Sequence, residues 1–247
     1  FGDILAGYLA KRLGLPVGRL ICASNANNVL TDFIRTGTYD RRRPLHKTVS
    51  PSMDILVSSN LERLLYLLCG DTAQVASYME QLNRDGFYTV SADLLAKIQD
   101  LFWAGYCDDA AAQAAIAKVW KNHHYLCDPH TATGWQVAKD YVNQTGDKTP
   151  MVVLSTASPY KFPAAVLEAL GGKAEADENT LTVYPAPLLG GTVDACNDHR
   201  IAMSAAIAAT ACKNDVTIFG AEAVNKSYPK FWEEYRRLGG NYEQYIR

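Results

Sequence analysis

Several polar clusters in this chain combine hydroxyls, carboxamides and cations at spacings that could hold an anion or a ring nitrogen. Phe1-Gly2-Asp3 opens a stretch in which Ile4, Leu5, Tyr8, Leu9 and Leu13 recur at helical spacing. A glycine there lets backbone N–H groups approach a phosphate, and the helix dipole favours the anion. Three further segments carry hydroxyls and amides. They are Ser24-Asn25-Ala26-Asn27-Asn28, Ser50-Pro51-Ser52-Met53-Asp54 with Ser58-Ser59-Asn60, and Ser155-Thr156-Ala157-Ser158-Pro159. Two of them follow or flank predicted buried strands, and in open α/β sheets ligands sit beyond the carboxyl ends of strands. Thr156, just past the strand predicted at Met151–Leu154, can offer a neutral hydroxyl to a ring nitrogen. Such a partner suits an unprotonated pyridine nitrogen. Polar loops and helix caps account for the same residues, so both readings stand at this point.

A second cluster lies near the other end. Asn197 or Asp198 can cap a helix whose first turn holds Arg200, where a cation opposes the dipole. A charge so placed can bind an anion jointly with the helix N-terminus. Lys226, just before Ser227-Tyr228-Pro229, is placed in the same way. Two solvated surface charges fit the pattern as well. His124-x-x-Cys127-x-x-His130 has metal-ligand spacing, but Asp128-Pro129 breaks any helix there, so the three share no face and no metal is expected. Arg41-Arg42-Arg43 reads as a solvated loop.

The 247 residues suffice for one large domain or two small ones. The net charge of -2 gives no electrostatic case for nucleic acid. Six cysteines without a C-x-x-C pair read as reduced thiols in the cytoplasm. No apolar run reaches the roughly 18 residues of a membrane span, and no signal peptide is visible. The sequence enters a helical pattern directly at Phe1, which reads as a truncated chain.

The elements that must position these clusters alternate. Helices are predicted at Gly2–Leu13, Val29–Ile34, Asp54–Leu68, over much of 71–120, and at Phe162–Leu170. Buried strands are predicted at Leu20–Ala23 and Met151–Leu154. After Gly172 short strands appear at Thr180–Tyr184, Thr192–Ala195, Val216–Phe219 and Tyr242–Ile246, with helices near Asp198–Lys213 and Tyr228–Leu238. The alternation argues an α/β class.

FGDILAGYLAKRLGLP, ICASNANNVLTDFIRTGTY, SPSMDILVSSNLERLL, DPHTATGW and STASPYKFP resemble, in this order, segments of bacterial threonine synthase, from residue 1 to about 172. The resemblance implies a partial fold-type-II enzyme domain that uses pyridoxal 5'-phosphate to convert O-phosphohomoserine and water to threonine and phosphate. It implies that Phe1, Gly2 and Asp3 end the cofactor-phosphate loop and that Thr156 faces the pyridine nitrogen. Ser155 and Lys161 are near-site candidates by the same resemblance, and residues 128–134 line the cleft. The family's cofactor-bearing lysine lies upstream of this loop and has no counterpart here.

GGTVDACNDHRIAMSAAIAA and VTIFGAEAVNKSYPKFWEEYRRLGG resemble the closing segments of EPSP synthase (3-phosphoshikimate 1-carboxyvinyltransferase), over residues 173 to 247. That family transfers an enolpyruvyl group to shikimate 3-phosphate. The resemblance gives Arg200 and Lys226 the role of holding phosphoenolpyruvate, while the family's acid/base carboxylates have no counterpart. The expectation is a fragment of 1–172 joined to one of 173–247, with small phosphorylated metabolites as ligands and no complete catalytic set. Lost sheet neighbours would leave apolar surface for self-association. Two alternatives remain: an anion-binding module built on Arg200 and Lys226, or a threonine synthase half completed by another chain.

Overall fold

The computed structural model describes residues 1–176, 180–184 and 187–245 and divides into two compact units, Phe1–Val183 and Tyr184–Arg247. In the first unit, helix α1 (Gly2–Arg12) leads to strand β1 (Leu20–Ser24), helix α2 (Val29–Thr36) and strand β2 (Thr38–Asp40). Helices α3 (Leu61–Cys69) and α4 (Thr72–Asp85), strand β3 (Phe87–Thr89), helix α5 (Ala92–Leu101) and strand β4 (Phe102–Tyr106) follow. The long helices α6 (Asp109–His123) and α7 (Pro129–Thr145), helix α8 (Pro163–Ala169) and strands β5 (Ala174–Ala176) and β6 (Leu181–Val183) complete it.

β1 and β4 pair in parallel, Leu20 opposite Phe102 through Ser24 opposite Tyr106. A parallel pair needs a long crossover, and residues 25–101 supply it. Gly37 makes the exit from α2 possible: its φ of 78° is left-handed, and an added Cβ would meet Leu95 and Val90 at 3.2 and 3.3 Å. β2 and β3 are antiparallel, which sets Tyr39 beside Tyr88. Their rings stack at 5.4 Å, and Phe33 meets both edge-on. Burial pushes the Tyr88 phenol far above its ordinary pKa, with the neighbouring Tyr39 and Tyr78 adding to it. A second apolar cluster joins α6, α7 and α8 through Ile116, Val119, Cys127, Ala132 and Val166.

The second unit holds strand β7 (Gly191–Asp194), helix α9 (His199–Ala209), strand β8 (Val216–Phe219), a 3-10 helix at Ala221–Lys226 and helix α10 (Phe231–Arg237). β7 and β8 are parallel, with α9 as the crossover. Ala202 and Ala206 face the core one turn apart, and Tyr235 donates to the Ala206 carbonyl at 3.0 Å.

The α/β class read from the sequence is the observed one, but several elements differ. Met151–Leu154 forms no strand: Val152 is 84% and Leu154 57% exposed. A strand exists only through a ladder partner, and among the described residues no backbone group bonds to this segment. Asp54–Asn60 is not helical, because the Asp54 carboxylate is committed to Thr48 and Asn25, and α3 begins only at Leu61. β2, β3 and β4 lie where the pattern indicated only helix or turn. They are three to five residues long, too short to show a period. Tyr242–Tyr245 has no strand either, since Tyr242 packs on Arg236 and Trp232; Ile246 lies outside the described residues. The contact boundary falls after β6 because β5 and β6 pair with each other and α8 packs on β5.

Candidate functional site

The carboxyl end of β1 delivers Ser24 and Asn25 into a buried polar network. Asn25, 2% exposed, donates to Thr48 Oγ1 at 2.8 Å, Ser50 Oγ at 3.0 Å and Asp54 Oδ1 at 2.8 Å. Its carbonyl accepts from the Asn27 backbone N–H at 2.9 Å. Asn27 donates to the His46 backbone carbonyl, accepts from the His46 backbone N–H and also donates to Asp54. Asp54 closes the loop by accepting from the Thr48 backbone and hydroxyl. No buried side-chain polar atom among the described residues lacks a partner. A network so completely satisfied holds its loops in one arrangement.

A second buried pair adjoins it. Asp128 caps α7, accepting from the His130 backbone N–H at 2.9 Å and from His130 Nδ1 at 2.8 Å. Its other oxygen accepts from the Thr131 hydroxyl. The Ser52 N–H donates to His130 Nε2 at 3.1 Å, so Nε2 is unprotonated and Nδ1 carries the hydrogen. Burial alone would raise the Asp128 pKa. The bonds from His130 and Thr131 outweigh it and hold the carboxyl below its ordinary value. His130 therefore ties the 50–54 loop to α7. Its ring nitrogens are both engaged within the protein. Among the described residues no group of three His, Cys, Asp or Glu side chains could hold a metal.

The predicted cofactor residues lie on two separate segments of this unit. Phe1 is the N-cap of α1, with no side-chain bond to the first turn, so its opening N–H groups remain available to an anion. A Cβ on Gly2 would stand 3.4 Å from Asn60 Nδ2, which puts the helix opening against the 58–60 segment. Asp3 is exposed in the first turn. On the second segment, Ser155 Oγ lies 2.9 Å from Tyr125 Oη and 3.4 Å from Thr131 Oγ1. Thr156 is exposed, and its hydroxyl has no partner among the described residues. Lys161 is exposed on the 3-10 helix Pro159–Lys161 and bonds to none of these groups. An uncapped helix opening and a free hydroxyl fit a phosphate-bearing pyridine ring. No recorded bond joins Gly2 to Thr156 directly.

In the second unit, Asp198 caps α9 by accepting from Arg200 N at 2.8 Å and also pairs with its guanidinium at 2.6 Å. The Arg200 bonds hold the Asp198 carboxyl far below its ordinary pKa. Lys226 Nζ donates to the Asn197 carbonyl at 2.7 Å. The structure thus brings Lys226 to the turn that leads into α9, whose first turn holds Arg200, with both cations partly committed. Cys196 and Asn197 hold φ of 48° and 58°, left-handed values that non-glycine residues rarely adopt, and so turn the chain into the helix. The arginine run is also more engaged than a solvated loop: Arg43 bonds Asn28 and Asp32, and Arg42 pairs with Asp40 over the Phe87 ring.

Family models match two overlapping segments. Residues 131–187 match the C-terminal region of threonine synthase, and residues 161–235 match EPSP synthase (3-phosphoshikimate 1-carboxyvinyltransferase). The sequence is homologous to threonine synthases. The threonine synthase-like 1 protein of Homo sapiens is 41% identical over 187 residues, 74% of this chain and 25% of the relative. Threonine synthase of Pseudomonas aeruginosa is 42% identical over 177 residues, 71% of this chain and 37% of the relative. The crystal structure of PLP-bound threonine synthase from Brucella melitensis matches with a TM-score of 0.66 and 35% identity, covering 98% of this chain and 45% of that one. The yeast enzyme matches at 0.66 and 29% identity, covering 95% and 46%. The chain therefore spans a quarter to under half of the proteins it matches. Its mixed α/β fold is that of PLP-dependent threonine synthases, in part.

Sequence reasoning singled out the 24–28, 50–54 and 128–134 segments but missed how they join. Thr48 is a residue it overlooked, and the pairing of His130 with Asp128 is a contact it did not foresee. The signal available was DPHT, an aspartate before proline with donors two and three residues on, a pattern that fits a helix cap.

Proposed function

We propose that residues 1 to about 172 are the later part of a pyridoxal-phosphate threonine synthase site, joined to a closing segment of EPSP synthase type at 173–247. The observation that supports the first half best is the superposition of nearly the whole chain on a PLP-bound threonine synthase, at 35% identity. The N-terminus of α1, at Phe1-Gly2-Asp3, holds the cofactor phosphate through free backbone N–H groups. Thr156 donates its hydroxyl to the pyridine nitrogen and leaves that nitrogen unprotonated. Ser155, fixed by Tyr125 and Thr131, lines the same cleft, with Lys161 at its rim. The Asn25–Asp54 network and the Asp128–His130 pair hold the loops that shape it. When bound, the cofactor supplies an electron sink for the substrate's carbanionic states.

These 247 residues include no counterpart of the family's cofactor-bearing lysine, so the isolated polypeptide does not convert O-phosphohomoserine to threonine. A polypeptide that supplies the lysine would restore the set. In the second unit, Arg200 and Lys226 bind phosphoenolpyruvate once the anion displaces Asp198 from Arg200. They do not transfer its enolpyruvyl group, since no acid/base carboxylates accompany them.

Titration of the isolated chain with pyridoxal 5'-phosphate, followed by the cofactor's absorbance, tests the first site. The expected result is reversible binding that weakens by about three- to tenfold in Thr156→Val (roughly one neutral hydrogen bond). Unchanged affinity in that variant removes Thr156 from the site. Threonine formation by the isolated chain would overturn the proposed inactivity. Phosphoenolpyruvate binding that is indifferent to Arg200→Ala removes the second site.

A further inference from the structure

A groove between α6 and α7, away from the residues proposed for the cofactor, gathers cations without acidic partners. Lys118, Val119, Asn122 and His123 on one helix and Trp135 and Lys139 on the other line a cavity of about 240 Å³. The lining contains two lysines, one imidazole, one carboxamide and the indole of Trp135, and no carboxylate. Neither lysine forms an ion pair or a hydrogen bond to an acidic group among the described residues. Asp140, next to Lys139 in the chain, accepts from Gln136 at 2.9 Å.

Two like charges set side by side are unfavourable, and the electrostatics register it. The Lys118 amine across the groove lowers the pKa of Lys139; burial adds to this and Asp140 opposes it. Neighbouring ammonium groups without a direct ion pair form an arrangement that an anion between them would complete. The His123 ring meets Trp135 edge-on at 5.7 Å, which holds an imidazole at the rim. Trp135 forms an apolar wall beside the cations.

We propose that the α6–α7 groove binds a phosphate-bearing small anion between Lys118 and Lys139, with Asn122 and His123 as further donors and Trp135 as the wall. The phosphate is either free or carried on a small organic body. Its oxygens accept from both amines. This site is independent of the threonine synthase reading, because none of its residues is assigned to the cofactor or substrate there.

The test is a titration of the full chain, labelled with nitrogen-15, with inorganic phosphate and separately with phenyl phosphate. The readout is the indole N–H signal of Trp135, assigned by its loss in Trp135→Phe. A saturable shift is expected, with affinity reduced at least about tenfold in Lys118→Gln and in Lys139→Gln (one charge-assisted hydrogen bond each). Both lysines lie on helix surfaces, so unchanged circular dichroism identifies folded variants. Tighter binding of phenyl phosphate identifies an organic phosphate lying on Trp135, and equal binding identifies free phosphate; either supports the site. A shift reproduced by sodium chloride at matched ionic strength, or undiminished in both lysine variants, overturns the proposal.

Discussion

Replacing Asp128 by alanine tests whether the buried pair under the cleft holds this unit together. Asp128 is fully buried and serves three donors: the His130 backbone N–H, His130 Nδ1 and the Thr131 hydroxyl. Loss of an N-cap costs about 1 kcal/mol. Leaving the buried His130 ring N–H unpaired costs a further ~1–3 kcal/mol. Thr131 can turn to Ser155 Oγ, 3.4 Å away, which spares its hydroxyl. Removing a buried carboxylate recovers some desolvation. The sum is a loss of about 3 kcal/mol, a large part of the ~5–15 kcal/mol that holds a domain folded. Urea unfolding followed by far-ultraviolet circular dichroism measures it. Asp128→Asn keeps an acceptor for His130 and should lose roughly half as much. The Ser52 amide, which donates to His130 Nε2, should lose its hydrogen-exchange protection in Asp128→Ala. A loss below about 1 kcal/mol, with Ser52 still protected, would refute the reasoning, because a cap alone would then account for everything.

Asn25→Ala removes a side chain that donates to Thr48, Ser50 and Asp54; it should destabilise by about 2–4 kcal/mol and speed amide exchange across residues 46–54, measured by mass spectrometry. The Asp128 carboxyl has a folded pKa held below its unfolded value of about 3.9. Its contribution is therefore complete above about pH 4 and lost as the pH falls through the folded value. The stability gap between the parent chain and Asp128→Asn should narrow on acidification below about pH 4, and a gap constant with pH would contradict the assignment. Lys118→Gln removes the first cause of the lowered Lys139 pKa, so that pKa should rise, read from the lysine side-chain carbon shifts over a pH titration.

Self-association through the exposed apolar residues Val152, Leu154, Leu188 and Leu189 remains the proposal for this polypeptide. Sedimentation at several concentrations reads it directly, and a monomer at every concentration would exclude it.

The sequence alone determined the class and the local punctuation. Gly37 ends a helix where a left-handed residue is required, Ser91 starts one, and β8 runs from Val216 to Phe219 as its apolar texture indicates; Asp128-Pro129, where a helix starts, reads instead as a break. These features depend on neighbours in the chain, so local chemistry decides them. The ordered motifs also carried the resemblance to threonine synthase, since the residue strings themselves are what is compared. What only the tertiary structure decided is pairing across distance. Met151–Leu154 has the composition of a buried strand, yet burial and a ladder are supplied by other segments, and in this polypeptide none does so among the described residues. The short strands β2 and β4 exist because β3 and β1 complete their hydrogen bonds. The link from Ser52 to His130 joins residues far apart in the chain, and the facing of Lys118 and Lys139 depends on how α6 lies on α7. No spacing rule encodes such contacts. They follow from how apolar faces pack, and that packing set Asp128, His130 and the two lysines where their chemistry can be tested.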